Sequence, residues 1–342
     1  MKQQLRQGKL PTVLLRKLIQ FLPVADRSLI IPPGVGLDAA GLEIGNRLIA
    51  VTTDPITFAT DNIAAYSVAV NVNDVACLGC HPRWYSGVLM LPYGSSETLV
   101  ENIWTELARE LQRYGITSVG GHVEVTKAVN VPILVGQIIG EAVRDELLDA
   151  RNISPGDQIL LCQAIAVEGT SLLAQKRASE LSSILDVDNI NKIQNFLWNP
   201  GICIWPYAEK LFSIPDLVAL HDPTEGGIAT ALHELADVAG CGLVVDCEKI
   251  SVLPETKQFS QLFNFDPLGL LASGSLIIVC KPKAVDQVIQ QLGANQVMPI
   301  GAFTNEQHRN MNFRGEIKDL PRYDQDELIP ALQHKMRTIK SL

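Results

Sequence analysis

Apolar positions fall into two periods along this chain, and each period predicts its own element. Leu10, Val13, Leu14 and Leu18 recur at three- and four-residue spacing, which predicts a short N-terminal helix ended by Pro23. A Pro/Gly loop from Pro32 to Gly41 leads into an apolar strand, Leu48 to Thr52, that finishes at Thr53-Asp54. Ile63 to Leu78 is rich in Ala and Val and predicts a tightly packed helix opening near Asn62. A strand at Trp84 to Leu91 precedes a helix capped by Ser95/Ser96, with Glu97 and Glu101 in its first turns. Strands at Ile116 to Val119 and Pro132 to Val143 close this half.

The segment from Arg151 to Asp157 is rich in turn residues, and a new strand begins at Gln158 and runs to Cys162. Beyond it the pattern predicts helices at Gly169 to Lys176 and Gly227 to Val238. Strands follow at Leu243 to Asp246, Ser275 to Cys280 and Met298 to Phe303, and the tail from Pro321 holds one short helix. Alternating strands and helices in two units predict an α/β (α+β) fold of two domains. The expected organisation is an arm (1–30), a first domain (31–150), a second (151–315) and a tail (316–342).

Composition agrees with this reading: 342 residues, 47% hydrophobic and 19% charged, are enough for a sizeable core and for more than one domain. With 28 Lys+Arg against 37 Asp+Glu the net charge is −9, so no basic surface is available for a nucleic-acid backbone. Met1 to Gln20 is charged and amphipathic, and no run approaches the ~20 apolar residues of a membrane span. A cytoplasmic protein with no nucleic-acid or membrane partner is expected. Seven cysteines without finger spacing read as reduced thiols, mostly buried. Cys77-Leu-Gly-Cys80-His81 formally matches a haem-attachment pattern, but its setting in a packed Ala/Val helix favours small core residues.

Candidate chemistry lies in polar motifs punctuated by Gly at element ends: Gly36-Leu37-Asp38-Ala39-Ala40, Thr52-Thr53-Asp54, Asn71-Val72-Asn73-Asp74 and Gly120-Gly121-His122-Val123-Glu124. Singly, an Asp beside Gly is usually a turn or cap residue. Asp74 differs, because its helix is otherwise apolar and an unpaired buried carboxylate is costly. Asn71 lies three residues away on the same helical face, so a carbonyl and a carboxylate can serve one hard cation such as Mg²⁺. Neither the P-loop pattern nor the dinucleotide glycine fingerprint is present, and His233-Glu234-Leu235-Ala236-Asp237 reads as part of an amphipathic helix.

The order of these motifs resembles the PurM-like (AIR synthase-related) superfamily of ATP-dependent enzymes. Gly-Leu-Asp38-Ala-Ala is similar to its Gly-Asp-Asp-Ala-Ala, and Thr-Thr-Asp54 to its Thr-Thr-Asp. Asn73-Asp74-Val-Ala-Cys-Leu-Gly79-Cys-His-Pro82 resembles its Asn-Asp-Leu-Ala-x-Met-Gly-Ala-x-Pro. His221-Asp222-Pro223-Thr224-Glu225-Gly226-Gly227 resembles the His-Asp-Pro-Thr-Arg-Gly-Gly of the hydrogenase maturation (HypE) branch.

The resemblance implies a homodimer whose N-terminal domains build a β-barrel across their interface, with an α+β domain after each. It also implies ATP and Mg²⁺ as cofactors. Asp38, Asp54 and Asp74 would hold Mg²⁺ on the phosphates, with Glu124 as a further metal contact. Asp38, Thr53, Asn71 and the Gly120-Gly121 turn would bind the nucleotide, and His122, Asp222 and Glu225 would serve catalysis. Lys9 reads either as part of an arm folding over the nucleotide or as a solvated lysine, and Glu168 as a substrate contact or a helix N-terminal charge.

Two departures from that branch stand out. No cysteine follows Cys280 in the run to Arg337-Thr-Ile-Lys-Ser-Leu342, and Glu225 replaces the branch's arginine. A changed substrate is therefore expected. The leading reading is an enzyme that phosphorylates an amide- or carbamoyl-like oxygen of a small-molecule or carrier-protein substrate. The alternative is an ATP-binding maturation or assembly factor without turnover.

Overall fold

The structure, a computed structural model, describes residues 5–337. The chain divides into two compact units. The N-terminal unit comprises Val24–Pro33 and Asp38–Leu148; the C-terminal unit takes the arm through Pro23, the loop Gly34–Leu37 and everything from Asp149. In the arm, α1 (Thr12–Ile19) follows Pro11 and buries none of its residues. It stops four residues before Pro23, which therefore does not terminate it.

The N-terminal unit contains β1 (Leu29–Ile31), β2 (Ala40–Ile44), β3 (Arg47–Ile56), α2 (Ile63–Cys77), β4 (Cys80–Pro92), α3 (Glu97–Arg113), β5 (Thr117–Thr126) and β6 (Ile133–Ala142). Its six strands form one open sheet in the order β1-β2-β3-β6-β4-β5. All pairs are antiparallel except β4 with β5. Helix α2 buries every residue but Val70. It sits close because β6 offers glycines beneath it: a Cβ at Gly136 would lie 2.4 Å from Ser67 Oγ, and one at Gly140 3.0 Å from Val75 Cβ. The cap of α3 is as expected, with Ser96 Oγ accepting the Leu99 N–H at 3.2 Å.

The expected strand ending at Val119 and the Gly120-Gly121 turn are corrected. β5 runs through both glycines to Thr126, with a register shift against β4 between Tyr85 and Ser86. Gly121 (φ +152°) passes so near β4 that a Cβ there would sit 2.2 Å from the Gly87 carbonyl oxygen. Glycine here permits close strand approach instead of a reversal.

The C-terminal unit continues with β7 (Gln158–Cys162), α4 (Val167–Lys176), α5 (Ala178–Leu181), α6 (Val187–Gln194), α7 (Trp205–Leu211), β8 (Leu217–His221), α8 (Gly227–Ala239) and β9 (Gly242–Asp246). There follow α9 (Pro254–Phe263), β10 (Leu276–Cys280), α10 (Val285–Leu292), β11 (Val297–Thr304), β12 (Arg309–Phe313), β13 (Glu316–Asp319) and α11 (Leu328–Gln333). Its sheet runs β13-β12-β9-β11-β7-β10-β8. The inner strands β7 and β10 are almost wholly buried, as their uninterrupted apolar sequences require. Several short helices here, α6, α7, α9 and α10 among them, were not legible from sequence.

None of the seven cysteines is in a disulfide, and five are buried. Burial pushes the Cys80 thiol up to about 12, so it is inert near neutral pH. Among the described residues no helix is long and apolar enough to cross a membrane.

Candidate functional site

In the N-terminal unit, β3 and α2 are bonded to each other through their polar residues. Thr52 Oγ1 donates to Asp74 Oδ2 at 2.5 Å and also lies 3.2 Å from the Asp38 carbonyl oxygen. The Asp54 backbone N–H donates to Asn71 Oδ1 at 3.2 Å, while Asn71 Nδ2 donates to the Ser67 carbonyl at 2.9 Å. Thr53 Oγ1 accepts from Gln137 Nε2 on the adjacent strand at 3.3 Å. Three of the sequence motifs therefore meet at one place. Asp74 is buried, with 3% of its surface exposed, whereas Asp38 and Asp54 are only half-buried. Such a set offers hard oxygen donors of the kind Mg²⁺ prefers.

Gly120, Gly121, His122 and Glu124 are placed elsewhere. They lie on β5, at the sheet edge, with β6 and β4 between it and β3. Three strand spacings put them about 14 Å from the Asp54 group within one chain. His122 and Glu124 share a face of the strand, Nε2 to Oε2 3.9 Å, and are 67% and 58% exposed. Val123 and Val125 are exposed on the opposite face, and Val119 is exposed at the register shift.

In the C-terminal unit the 221–227 motif runs from the end of β8 into α8. His221 is buried, with Nε2 3.5 Å from Glu234 Oε2, and Asp222 is 1% exposed. Gly226 and Gly227 both have positive φ, and a Cβ at Gly227 would meet the Leu268 carbonyl oxygen at 2.4 Å. This double glycine is required for the turn to enter the helix against the 268–270 segment. Glu225 holds the arm: its Oε2 accepts the Lys9 backbone N–H at 2.8 Å, and Lys9 Nζ donates to Thr224 Oγ1 at 3.1 Å. Lys9 is thus docked on this motif instead of free in solvent.

His233 on α8 is a structural residue. Its Nε2 faces the Leu320 and Pro321 carbonyls at 3.2 and 3.1 Å, so it carries the proton, and its Nδ1 accepts from Arg309 at 3.3 Å. Burial, together with Arg322 and Arg309, lowers its pKa, which keeps the ring neutral. The amphipathic reading of 233–237 holds.

Sequence reasoning missed Ser273 and Asp326. Asp326 is 3% exposed, and its Oδ2 accepts the N–H of Gly226, the residue preceding α8, at 2.7 Å. Nothing in the tail sequence marks it, since it is one acid among several between Tyr323 and Glu327.

Comparison with known proteins covers both units. Residues 36–142 match the family model described as AIR synthase related protein, N-terminal domain, and residues 154–313 match the corresponding C-terminal domain. The carbamoyl dehydratase HypE of Rhodobacter capsulatus is 29% identical over 283 residues, 79% of this chain and 79% of the relative. The solved HypE–HypF complex contains a chain superposing with TM-score 0.75 at 19% identity, covering 92% of this chain and 100% of that one. HypE solved in complex with ATP gives TM-score 0.71 at 22% identity, covering 95% and 98%. The fold is thus the two-domain PurM-like one, and with both family domains present in order, the chain belongs to the AIR synthase related protein family.

Proposed function

We propose that this protein is an Mg²⁺- and ATP-dependent enzyme that phosphorylates an amide- or carbamoyl-type oxygen of its substrate. The observation that carries the reading is the junction of β3 and α2, which gathers Asp54, Asn71 and Asp74 with the Asp38 backbone. Asp38, Asp54 and Asp74 would hold Mg²⁺, which neutralises phosphate charge when bound. Thr53, Asn71 and the Gly120-Gly121 backbone would take the nucleotide, with Lys9 from the arm. His122 and Glu124 would act from β5, and Asp222 and Glu225 on the acceptor side. The acceptor oxygen would bond to the γ-phosphorus as the bond to ADP breaks, which activates it; its bond to carbon would then break to release phosphate as the amide nitrogen, giving up an N–H proton, or an incoming nucleophile bonds to that carbon in its place.

The reading is supported by relatives named carbamoyl dehydratase and by a HypE structure containing ATP. Exposed valines on an edge strand favour a homodimer that covers β5, with the N-terminal sheets completing a barrel across the interface. A carrier protein as substrate is favoured by the HypE–HypF complex of a structural relative, and that complex also keeps the assembly-factor reading as the alternative.

Calorimetric titration with a nonhydrolysable ATP analogue, with and without Mg²⁺, comes first, and Mg²⁺-dependent binding is expected. Asp54→Asn and Asp74→Asn should each abolish ATP-dependent phosphate release. Undiminished release in both would refute the metal assignment, and binding without release for any amide or carbamoyl acceptor would leave the assembly-factor reading.

A further inference from the structure

The arm rests on the C-terminal unit without being packed into it. No residue from Leu5 to Pro23 is buried, and several of its apolar side chains face solvent, with Val13 83%, Phe21 73% and Leu5 62% exposed. A cavity of about 290 Å³ lies between α1 and α8, with Thr12, Val13, Arg16, Thr230, Glu234 and Asp237 in its lining. The bonds that hold the arm are polar. Besides the two that Lys9 makes to Glu225 and Thr224, the Gln7 carbonyl accepts from Gln325 Nε2 at 3.0 Å, and Arg16 donates to Asp237 Oδ2 at 2.7 Å. Exposed bonds of this kind are individually weak, and without apolar burial such a segment opens at far lower cost than the unit beneath it unfolds.

The turn under the arm is fixed independently of it. The Gly227 N–H donates to the Thr224 carbonyl at 3.0 Å, and the Gly226 N–H donates to buried Asp326 at 2.7 Å. Gly8 lets the arm come down on this turn: its φ is +107°, and a Cβ there would stand 3.1 Å from Glu225 Oε2. With the arm down, the Lys9 N–H and ammonium occupy the Glu225 carboxylate and the Thr224 hydroxyl. With the arm lifted, the bonds within the turn persist, and the same two groups are offered to a ligand that brings N–H donors of its own.

We propose that the arm is a releasable strap across the Thr224–Gly227 turn, latched by Glu225, and that it shields Glu225 and Thr224 until it lifts. Glu225 stands where the hydrogenase maturation branch has arginine, and an arginine could not accept the Lys9 N–H, so the latch depends on this chain's own residue. Identifying the shielded ligand as an amide- or carbamoyl-type acceptor rests on the phosphoryl-transfer reading; the strap itself does not.

The test uses the full chain and reads both sides of the latch. Carbodiimide-driven labelling of carboxylates with glycinamide, located by mass spectrometry, reports access to Glu225, with exposed Glu97 as the internal reference. Gly8→Val is strained at this φ and crowds Glu225, so it should raise the initial labelling rate of Glu225 at least about fivefold and leave that of Glu97 unchanged. In the other direction, Glu225→Ala removes the acceptor of the Lys9 N–H and should speed tryptic cleavage of the Lys9–Leu10 bond by about tenfold. Glu225 labelled alike in wild type and Gly8→Val, or Lys9–Leu10 cut at the wild-type rate in Glu225→Ala, overturns the proposal. A lowered urea midpoint in Gly8→Val overturns it as well, because the arm would then belong to the cooperatively folded body. None of these readings involves ATP or an acceptor, so failure of the strap is not confused with failure of the phosphoryl-transfer reading.

Discussion

Replacing Glu168 by glutamine should make the protein more stable at alkaline pH and leave it nearly unchanged in acid. Burial, reinforced by the charges of Asp326 and Glu225 against the opposing influence of Ser273, raises the carboxyl from 4.5 to about 7. The folded state therefore holds this proton more tightly than the unfolded chain does. Its stabilising contribution is complete below pH 4.5 and is lost progressively as the pH rises to about 7. At about 1.4 kcal/mol per pH unit, the interval from 4.5 to about 7 amounts to about 3 kcal/mol. Glutamine keeps the shape and does not titrate. Asp326, raised by the same burial to about 7, titrates in both chains and so largely drops out of the difference. Urea unfolding of both proteins at several pH values from about 5 to about 8 gives the stability difference, which should grow in favour of the variant by up to about 3 kcal/mol. A difference independent of pH would refute the argument, because it would mean that Glu168 titrates alike in both states.

Two further substitutions probe the N-terminal unit. Thr52→Val is nearly isosteric and removes the 2.5 Å donor to buried Asp74. Urea unfolding should show a loss of about 1.5–3 kcal/mol, the worth of a hydrogen bond to a charged group, and the titration with Mg²⁺–ATP analogue should weaken with it. Unchanged stability would mean that the Thr52 hydroxyl does not hold Asp74. Gly121→Ala places a methyl 2.2 Å from the Gly87 carbonyl oxygen, so β5 must part from β4. Amide exchange across 117–126 should accelerate and any dimer seen by light scattering should be lost; exchange at the wild-type rate would show that the strand absorbs the methyl.

The sequence by itself determined the elements whose own side chains pay no regard to distant partners. The Ala/Val run of α2, the apolar strands β7 and β10 and the Ser96 cap are set by local periodicity and capping, and they appear where expected. It also singled out Asp74, since a carboxylate in an apolar helix needs a donor, and the structure supplies Thr52. Tertiary structure decided the rest. Whether Gly120-Gly121 turns or continues as strand depends on how near β4 passes, and no local signal carries that distance. The grouping of Glu168 with Ser273 and Asp326 joins residues more than a hundred positions apart, and Asp326 has no motif around it. Periodicity records which face of an element is buried. Which polar atoms then share that buried space is settled only when loops close and the segments pack, because the cost of burying a charge depends on neighbours that the linear chain does not place beside it.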